Sequence, residues 1–322
     1  MKINDRVYGN QEINEAILLD LINSNSIKRL KDISQIGMPD EYLSFSGFSR
    51  YEHSLGVMIL LKRLRANLEE QVAGLLHDIS HTPFSHVIDW VIGDPTKEDY
   101  QDSIFREFLE KSDSFDILKK HKLNTELISD LNNFKLLERE SPKLCADRLD
   151  YSLRQIRMEK GKELANKIFG DLCVYENQIA FNSLEVARLF GKEYMNLQTL
   201  RWAGDEMRSK YYILSETLKE ALNKSLIEFN QFYGTEKPIL KILNNSNNEL
   251  ILSNLNLLKK GFSVIEDENG IELKKKFRYV DPEIRMNGGI VCLSDICEDY
   301  KKLINYEKEK NLEVKKIKII PN

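Results

Sequence analysis

Histidine is scarce in this chain, with five in 322 residues, and cysteine is scarcer still, with four. Cys145, Cys173, Cys292 and Cys297 are too scattered for a disulfide framework, and the pair Cys292 and Cys297 has no second pair at zinc-finger spacing. Reduced packing cysteines are expected. No run approaches about eighteen uninterrupted apolar residues, and the opening MKINDRVYGN lacks the basic-then-apolar pattern of a signal peptide. A cytoplasmic protein without a membrane partner is the expectation. Basic excess is missing too: 47 Lys and Arg face 51 Asp and Glu for a net charge of -4, which argues against nucleic acid as a partner.

What is present is enough apolar content, 42%, to bury a large core. Residues 12 to 260 read mostly as helix, with apolar side chains at helical spacing and the seven prolines placed in loops or at element starts. Val72, Leu75, Leu76 and Ile79 follow i, i+3, i+4, i+7, as do Val57, Leu60, Leu61 and Leu64. Pro83 disfavours helix at Thr82, so the first of these helices should stop near Ser80 and release HTPFSH as a turn. Asn- and Ser-rich residues 244–254 read as a surface loop. From Phe262 the texture changes: FSVIEDENGIELKKKFRYV reads as a hairpin about Glu268-Asn269-Gly270, followed by strand or loop, helix and a final strand LEVKKIKII. Lys274-Lys275-Lys276 and the terminal VKKIKII read as solvent faces of strands. The expected fold is mainly α, with a helical body over 1–260 and a small α+β subdomain over 261–322.

Four of the five histidines, His53, His77, His81 and His86, fall between positions 53 and 86, where chance would place about half a histidine. The dipeptide His77-Asp78 closes the apolar helix of LEEQVAGLLHDISHTPFSH. A divalent metal that polarises phosphate and activates water is held by a few imidazoles and carboxylates that leave positions open. Neighbours on a helix diverge by about 100°, so His77 and Asp78 converge on one ion only where the helix ends. A distant acid must complete the set, and LCADRLDYSLRQIR offers Asp147 and Asp150. His121, in ILKKHKLN, reads as a solvated surface residue.

Read in order, INDRVYG, SIKRLKDISQIG, SRYEHSLGV, AGLLHDISHTPFSH and ADRLDY resemble the HD-domain superfamily, and within it the dGTPase and sterile-alpha-motif HD-domain dNTP triphosphohydrolase branch. The resemblance covers roughly residues 3 to 155, makes 1–260 an HD phosphohydrolase domain with core motifs in 29–155, and implies a set of roles. His53, Asp147 and the His77-Asp78 pair would ligate one divalent ion, Mn, Mg, Fe or Zn. Arg50, Arg148 and Tyr151 would contact phosphate, a task that suits the fixed donor fork of arginine. His81 and His86 would sit beside the scissile phosphate, with Asp89 orienting a catalytic histidine and Gln35 facing the sugar. Asp150, by its own position, reads as an acid on the helix face or one behind the ligands, not as a ligand. The resemblance also implies a nucleotide as partner and a homo-oligomer.

Two positions depart from that pattern. Relatives carry a His-Glu pair in a T-H-E sequence after the HD helix, where this chain has Thr96-Lys97-Glu98; Lys97 would then meet the substrate, as a poor acid at neutral pH unless burial lowers it. Gln155 stands where deoxynucleotide-selective enzymes place an aspartate against the 3'-hydroxyl. Asn23, Lys28 and Lys31 occupy the regulatory positions of the activated relative, so activation by a nucleotide is not carried over. The expected activity is hydrolysis of a nucleoside triphosphate, chiefly a dNTP, to nucleoside and triphosphate. A phosphomonoesterase or phosphodiesterase, or a nucleotide sensor of weak activity, are the alternatives.

Overall fold

The chain begins with a tight antiparallel hairpin, Lys2–Asp5 against Gly9–Glu12, whose turn is closed by Asp5: its Oδ1 accepts the backbone N–H of Val7 and Tyr8, each at 2.8 Å. The computed structural model describes residues 1–273, 276–313 and 315–322. Beyond the hairpin most of the chain is helix, as the apolar periodicity predicts, and among the described residues no helix is long and apolar enough to cross a membrane. Polar caps set the starts of two helices of the motif region. Ser49 accepts from Glu52 N at the head of Arg50–Arg63, and Asn67 accepts from Glu70 N at the head of Leu68–Leu76.

Among the described residues, two apolar cores organise the molecule. The first gathers Leu18, Leu30, Val57, Leu61, Leu75 and Leu153 with the C-terminal Tyr300 and Ile304. The second gathers Met38, Phe84, Val87, Leu214 and Leu255 with Ile317. Residues 261–322 therefore contribute to both. The chain passes from one core to the other twice within the motif region: Ile33 packs in the first and Ile36 in the second, and Ile79 in the first and Phe84 in the second. Gln35, His81 and the loop before His86 lie on these crossings, so the seam between the cores is where chemistry-bearing side chains converge.

Helices Arg50–Arg63 and Ala146–Lys160 meet at Gly56. A Cβ there would stand 1.8 Å from Arg154 Nη2 and 2.1 Å from Asp150 Oδ1, so only glycine lets the two backbones close around that pair. Arg154 is fully buried, and its guanidinium donates to Asp150 Oδ2 at 2.7 Å, Asp5 Oδ2 at 2.7 Å and Glu52 Oε1 at 3.0 Å. Losing one partner of such a buried group leaves charge unpaired and costs about 3–5 kcal/mol.

Several elements differ from the sequence reading. The helix before the His-Asp pair ends at Leu76, not Ser80, and the next residues wind tightly through Ile79 N–H to Leu76 O and His81 N–H to Asp78 O. Strands Leu172–Tyr175 and Gln178–Phe181 interrupt the helical body as a hairpin whose turn residues Glu176 and Asn177 both have positive φ. Phe262–Glu272 is one long strand that pairs with the terminal Lys316–Pro321, not with its own continuation. Gly270 serves that pairing, since a Cβ there would lie 2.4 Å from Ile317 O. Most of residues 244–254 is helical, in Glu249–Lys260 capped by Asn248, and only the few residues before it form a loop. Glu283–Met286 joins the Gln178–Phe181 strand in parallel and Gly289–Cys292 antiparallel, giving a four-stranded sheet. Pro321 lies at a strand end, not at a start. Lys274, Lys275 and Val314 lie outside the described residues; Lys276 comes after the long strand without belonging to it, while Lys316 and Lys318 flank buried Ile317 on the solvent face, as the alternation predicts. All four cysteines are unbridged, and His121 is half-buried against Asp20 at 2.8 Å.

Candidate metal centre and phosphate site

His53 projects from the first turn and a half of Arg50–Arg63, His77 and Asp78 from the tight turn after Leu76, and Asp147 from the first turn of Ala146–Lys160. Their ligand atoms meet. His53 Nε2 lies 2.9 Å from Asp147 Oδ1, 3.2 Å from His77 Nε2 and 3.7 Å from Asp78 Oδ2. His77 Nε2 is 3.5 Å from both Asp147 Oδ1 and Asp78 Oδ1.

The other nitrogen of each ring is held elsewhere. His53 Nδ1 meets Asp150 Oδ2 at 2.8 Å, and His77 Nδ1 meets Gly74 O at 2.8 Å. Since both partners only accept, each Nδ1 carries the proton and each Nε2 aims a lone pair at the same point. Two lone pairs and two carboxylates facing one another require a cation among them. Without metal that charge is a proton: burial alone would lower His77, but Asp78 and Asp147 hold it up at about 9. His53 is likewise raised against its burial by Asp147 and Asp150, and Asp147 is depressed against burial by the two imidazoles. Metal bonds of about 2.0–2.2 Å put neighbouring ligand atoms roughly 3.0–3.4 Å apart; His53, His77 and Asp147 bring one ligand atom each into a cluster that fits one divalent ion, and Asp78 flanks it, one oxygen 3.5 Å from His77 and the other 3.7 Å from His53.

Behind the centre, Asp150 is saturated by His53, by the Tyr8 hydroxyl at 2.8 Å and by Arg154. Of the two sequence readings of Asp150, the geometry takes the acid behind the ligands and not one on an open helix face. In front of it, Arg50 is buried and donates through Nη1 to Asp78 Oδ2 at 2.9 Å, through Nε to Ser85 Oγ at 3.1 Å and through Nη2 to Gln35 O at 3.1 Å. Burial would raise Asp78, but Arg50 and the histidines hold it well below the usual carboxylate range. His81 Nε2 lies 3.2 Å from Asp78 Oδ1, and burial together with Arg50 pushes its imidazole down to about 3. His86 stands edge-on to His81, ring centres 5.1 Å apart, with its Nδ1 3.4 Å from Asp89 Oδ2. Asp89 Oδ1 in turn accepts the N–H of Tyr100 at 3.1 Å.

The loop carrying these histidines is tied down from behind. Arg29 Nη2 donates to Ile79 O at 2.6 Å and His81 O at 2.8 Å, filling carbonyls that the ended helix leaves open. Phe84 and Ser85 both take positive φ, a costly backbone for residues with a Cβ, and buried Glu236 accepts from Phe84 N and Ser34 N across the seam.

A cavity of about 510 Å³ opens over the centre. Gln35, Arg50, His77, Asp78, His81, His86, Asp147, Arg148 and Tyr151 all line it. Gln35 Oε1 is buried without a hydrogen-bond partner. Arg148 is held by Arg139 O, Lys143 O and Glu138, and the Tyr151 hydroxyl meets that of Tyr194 at 2.7 Å. Lys97 is the exception and needs correction: it is exposed on a turn and does not line the cavity. Its neighbour Glu98, at positive φ, is the residue turned inward, where it pairs with Arg278. Gln155 is also outside the cavity, buried with its amide on Glu159. The sequence reading missed Glu98, Trp202, Lys276 and Arg278, which line the wall together with others such as Asp102, Arg106 and Glu138. Trp202 ends a five-residue π-helix, Gln198–Trp202, a device whose only sequence hint is its aromatic residue.

The helical fold and this His-Asp centre define a class, and the HD domain family matches residues 50–155. The chain belongs to the HD-domain metal-dependent phosphohydrolases. It is 31% identical over 234 residues to metal-dependent phosphohydrolase cns2 of Cordyceps militaris, covering 70% of this chain and 68% of that one. An uncharacterized protein, YdhJ of Bacillus subtilis, is 37% identical over 317 residues, 96% of this chain and 97% of its own. A shorter match, 38% identity over 104 residues, joins it to deoxynucleoside triphosphate triphosphohydrolase SAMHD1 of Bos taurus, covering 27% of this chain and 17% of that protein.

Proposed function

We propose that this phosphohydrolase acts on nucleoside triphosphates, chiefly dNTPs, and releases nucleoside and triphosphate. The observation that carries the reading is the composition of one cavity, in which three of the four metal-capable residues, His77, Asp78 and Asp147, and Arg50, Arg148, His81 and His86 share about 510 Å³ with Tyr151 and Trp202, while His53 lies just behind the wall. Such a space accepts a ligand with a long anionic part and a flat apolar part. The motif order of the triphosphohydrolase branch, and the match to a protein of that name, support it.

His53, His77, Asp78 and Asp147 would hold the divalent ion, which supplies Lewis-acid polarisation of a phosphate oxygen and a more acidic water. Arg50 presents its remaining N–H groups to a phosphate oxygen while its other donors stay locked on Asp78, Ser85 and Gln35. His81, pushed down to about 3 by burial and by Arg50, would make hydrogen bonds without adding charge. His86, which lines the cavity with its Nδ1 3.4 Å from Asp89 Oδ2, would pass a proton to the departing oxygen. Preformed donors around the phosphate lower the barrier because they need no rearrangement as charge develops.

The positions of Lys97 and Gln155 favour a second reading. Neither the leaving-group residue nor the sugar residue of the branch is assembled in the cavity, which suits an HD-type phosphomonoesterase or phosphodiesterase acting on another nucleotide. A matrix of metals against nucleotides, with products identified by chromatography, separates the two. Metal-dependent triphosphate release, absent in His77→Ala and Asp78→Asn, is the expected outcome. Orthophosphate or pyrophosphate as the main product, or turnover of monophosphates or cyclic nucleotides alone, assigns the second reading.

A further inference from the structure

Two cations in the cavity wall come from far outside the motif region. The segment after the Phe262–Glu272 strand brings Lys276 and Arg278 to the rim, and it is pinned on both sides. Gln198 Nε2 donates to Lys276 O at 3.3 Å, Ser141 Oγ to Tyr279 O at 3.1 Å, and the Tyr300 hydroxyl to Val280 O at 2.6 Å. Asp281 N–H reaches Pro142 O at 2.8 Å. These bonds fix the backbone beside the cavity.

The other cations of the wall are largely engaged. Arg50 has three donors on Asp78, Ser85 and Gln35 and keeps only the rest for phosphate, Arg148 is held by two carbonyls and Glu138, Arg278 by Glu98, and Arg106 by Glu126. Lys276 differs: among the described residues its ammonium makes no ion pair or hydrogen bond. An ammonium on a flexible stem, in the same wall as a fixed Arg278–Glu98 pair, is suited to a mobile anionic group at the far end of a ligand.

We infer that Lys276, with Arg278 set behind it, forms an anion subsite for the end of a polyphosphate chain distant from the metal centre. The inference rests on the nucleoside triphosphate reading and adds to it: the C-terminal region, not the HD motifs, sets the preference for a long phosphate chain over a single phosphate. Glu98 holds Arg278 in place and is a positioning residue. A substrate with one phosphate reaches the centre without meeting Lys276, whereas one with three spans both.

The test uses the manganese-loaded full chain and two probes, inorganic triphosphate and orthophosphate, with binding followed by calorimetry. The wild type binds triphosphate more tightly. Lys276→Gln weakens triphosphate by about tenfold, the loss of one charge-assisted contact, and leaves orthophosphate and manganese stoichiometry unchanged. Lys276→Arg restores most of the affinity. Equal weakening of both probes, or no change in either, overturns the subsite. If Lys276→Gln selectively weakens triphosphate yet the wild type turns over no nucleotide, the subsite stands and the proposed activity falls; if nucleotides are turned over and both probes bind as before, the activity stands and the subsite falls.

Discussion

Replacing Asp150 by asparagine probes the link between the buried charge network and the metal centre. The carboxylate is fully buried and accepts from His53, Tyr8 and Arg154; asparagine keeps its shape, removes the charge and turns one acceptor into a donor. At an effective dielectric of about 20, the attraction lost over roughly 4 Å between charge centres is about 4 kcal/mol. Arg154 keeps Asp5 and Glu52, so the net cost should sit near the low end for a broken buried pair, about 3 kcal/mol. A second effect falls on the ion. The His53 ring loses an anionic acceptor at Nδ1, Nε2 becomes a weaker donor, and metal affinity should fall about 10–100-fold. Urea unfolding in chelator measures the first effect, and competition with a chromophoric chelator measures the second. Lower stability with unchanged affinity would refute the role of Asp150 in setting the His53 ring. No change in either would refute the network as a structural determinant.

Gly56→Ala should destabilise the chelated protein by about 3 kcal/mol or more, since its Cβ displaces the Arg154 and Asp150 pair; a urea midpoint equal to wild type contradicts the close approach. Manganese or zinc at about 100 times its dissociation constant should stabilise the wild type by about 2.7 kcal/mol, and His77→Ala should erase that gain; equal melting shifts in both proteins would remove His77 from the ligand set. Lys97→Ala should change kcat/KM by no more than about twofold, the range of an exposed substitution, and a larger loss of activity would return Lys97 to the substrate.

Much of the centre was legible because its residue types are rare. With five histidines in the chain, four within one short stretch are hard to explain by packing, and the spacing of Val72, Leu75 and Leu76 points to the face on which their helix docks. Where that helix stops was less legible, because His77 keeps helical angles while the turn tightens beyond it. The hairpin at 172–181 carried a local signal in its Glu-Asn turn, and the helical pattern on either side concealed it. Gly270 misled in the opposite direction: a glycine beside asparagine reads as a turn, yet it answers to the distant Ile317 backbone. Lys97 and Glu98 exchanged places for a reason no local pattern contains, the left-handed backbone at Glu98 and a partner, Arg278, far along the chain.

The division of the last sixty or so residues between the two cores bears on how this protein tolerates truncation. A fragment ending at Lys260 would retain every recognisable HD motif, yet it would lack Tyr300, which fills the space above Gly191, and Ile317, which packs on the opposite side of the seam. Such a fragment would match the family by sequence while exposing two raw apolar surfaces and an open-sided pocket. Swapping motif segments between relatives therefore has to carry the matching tail with it.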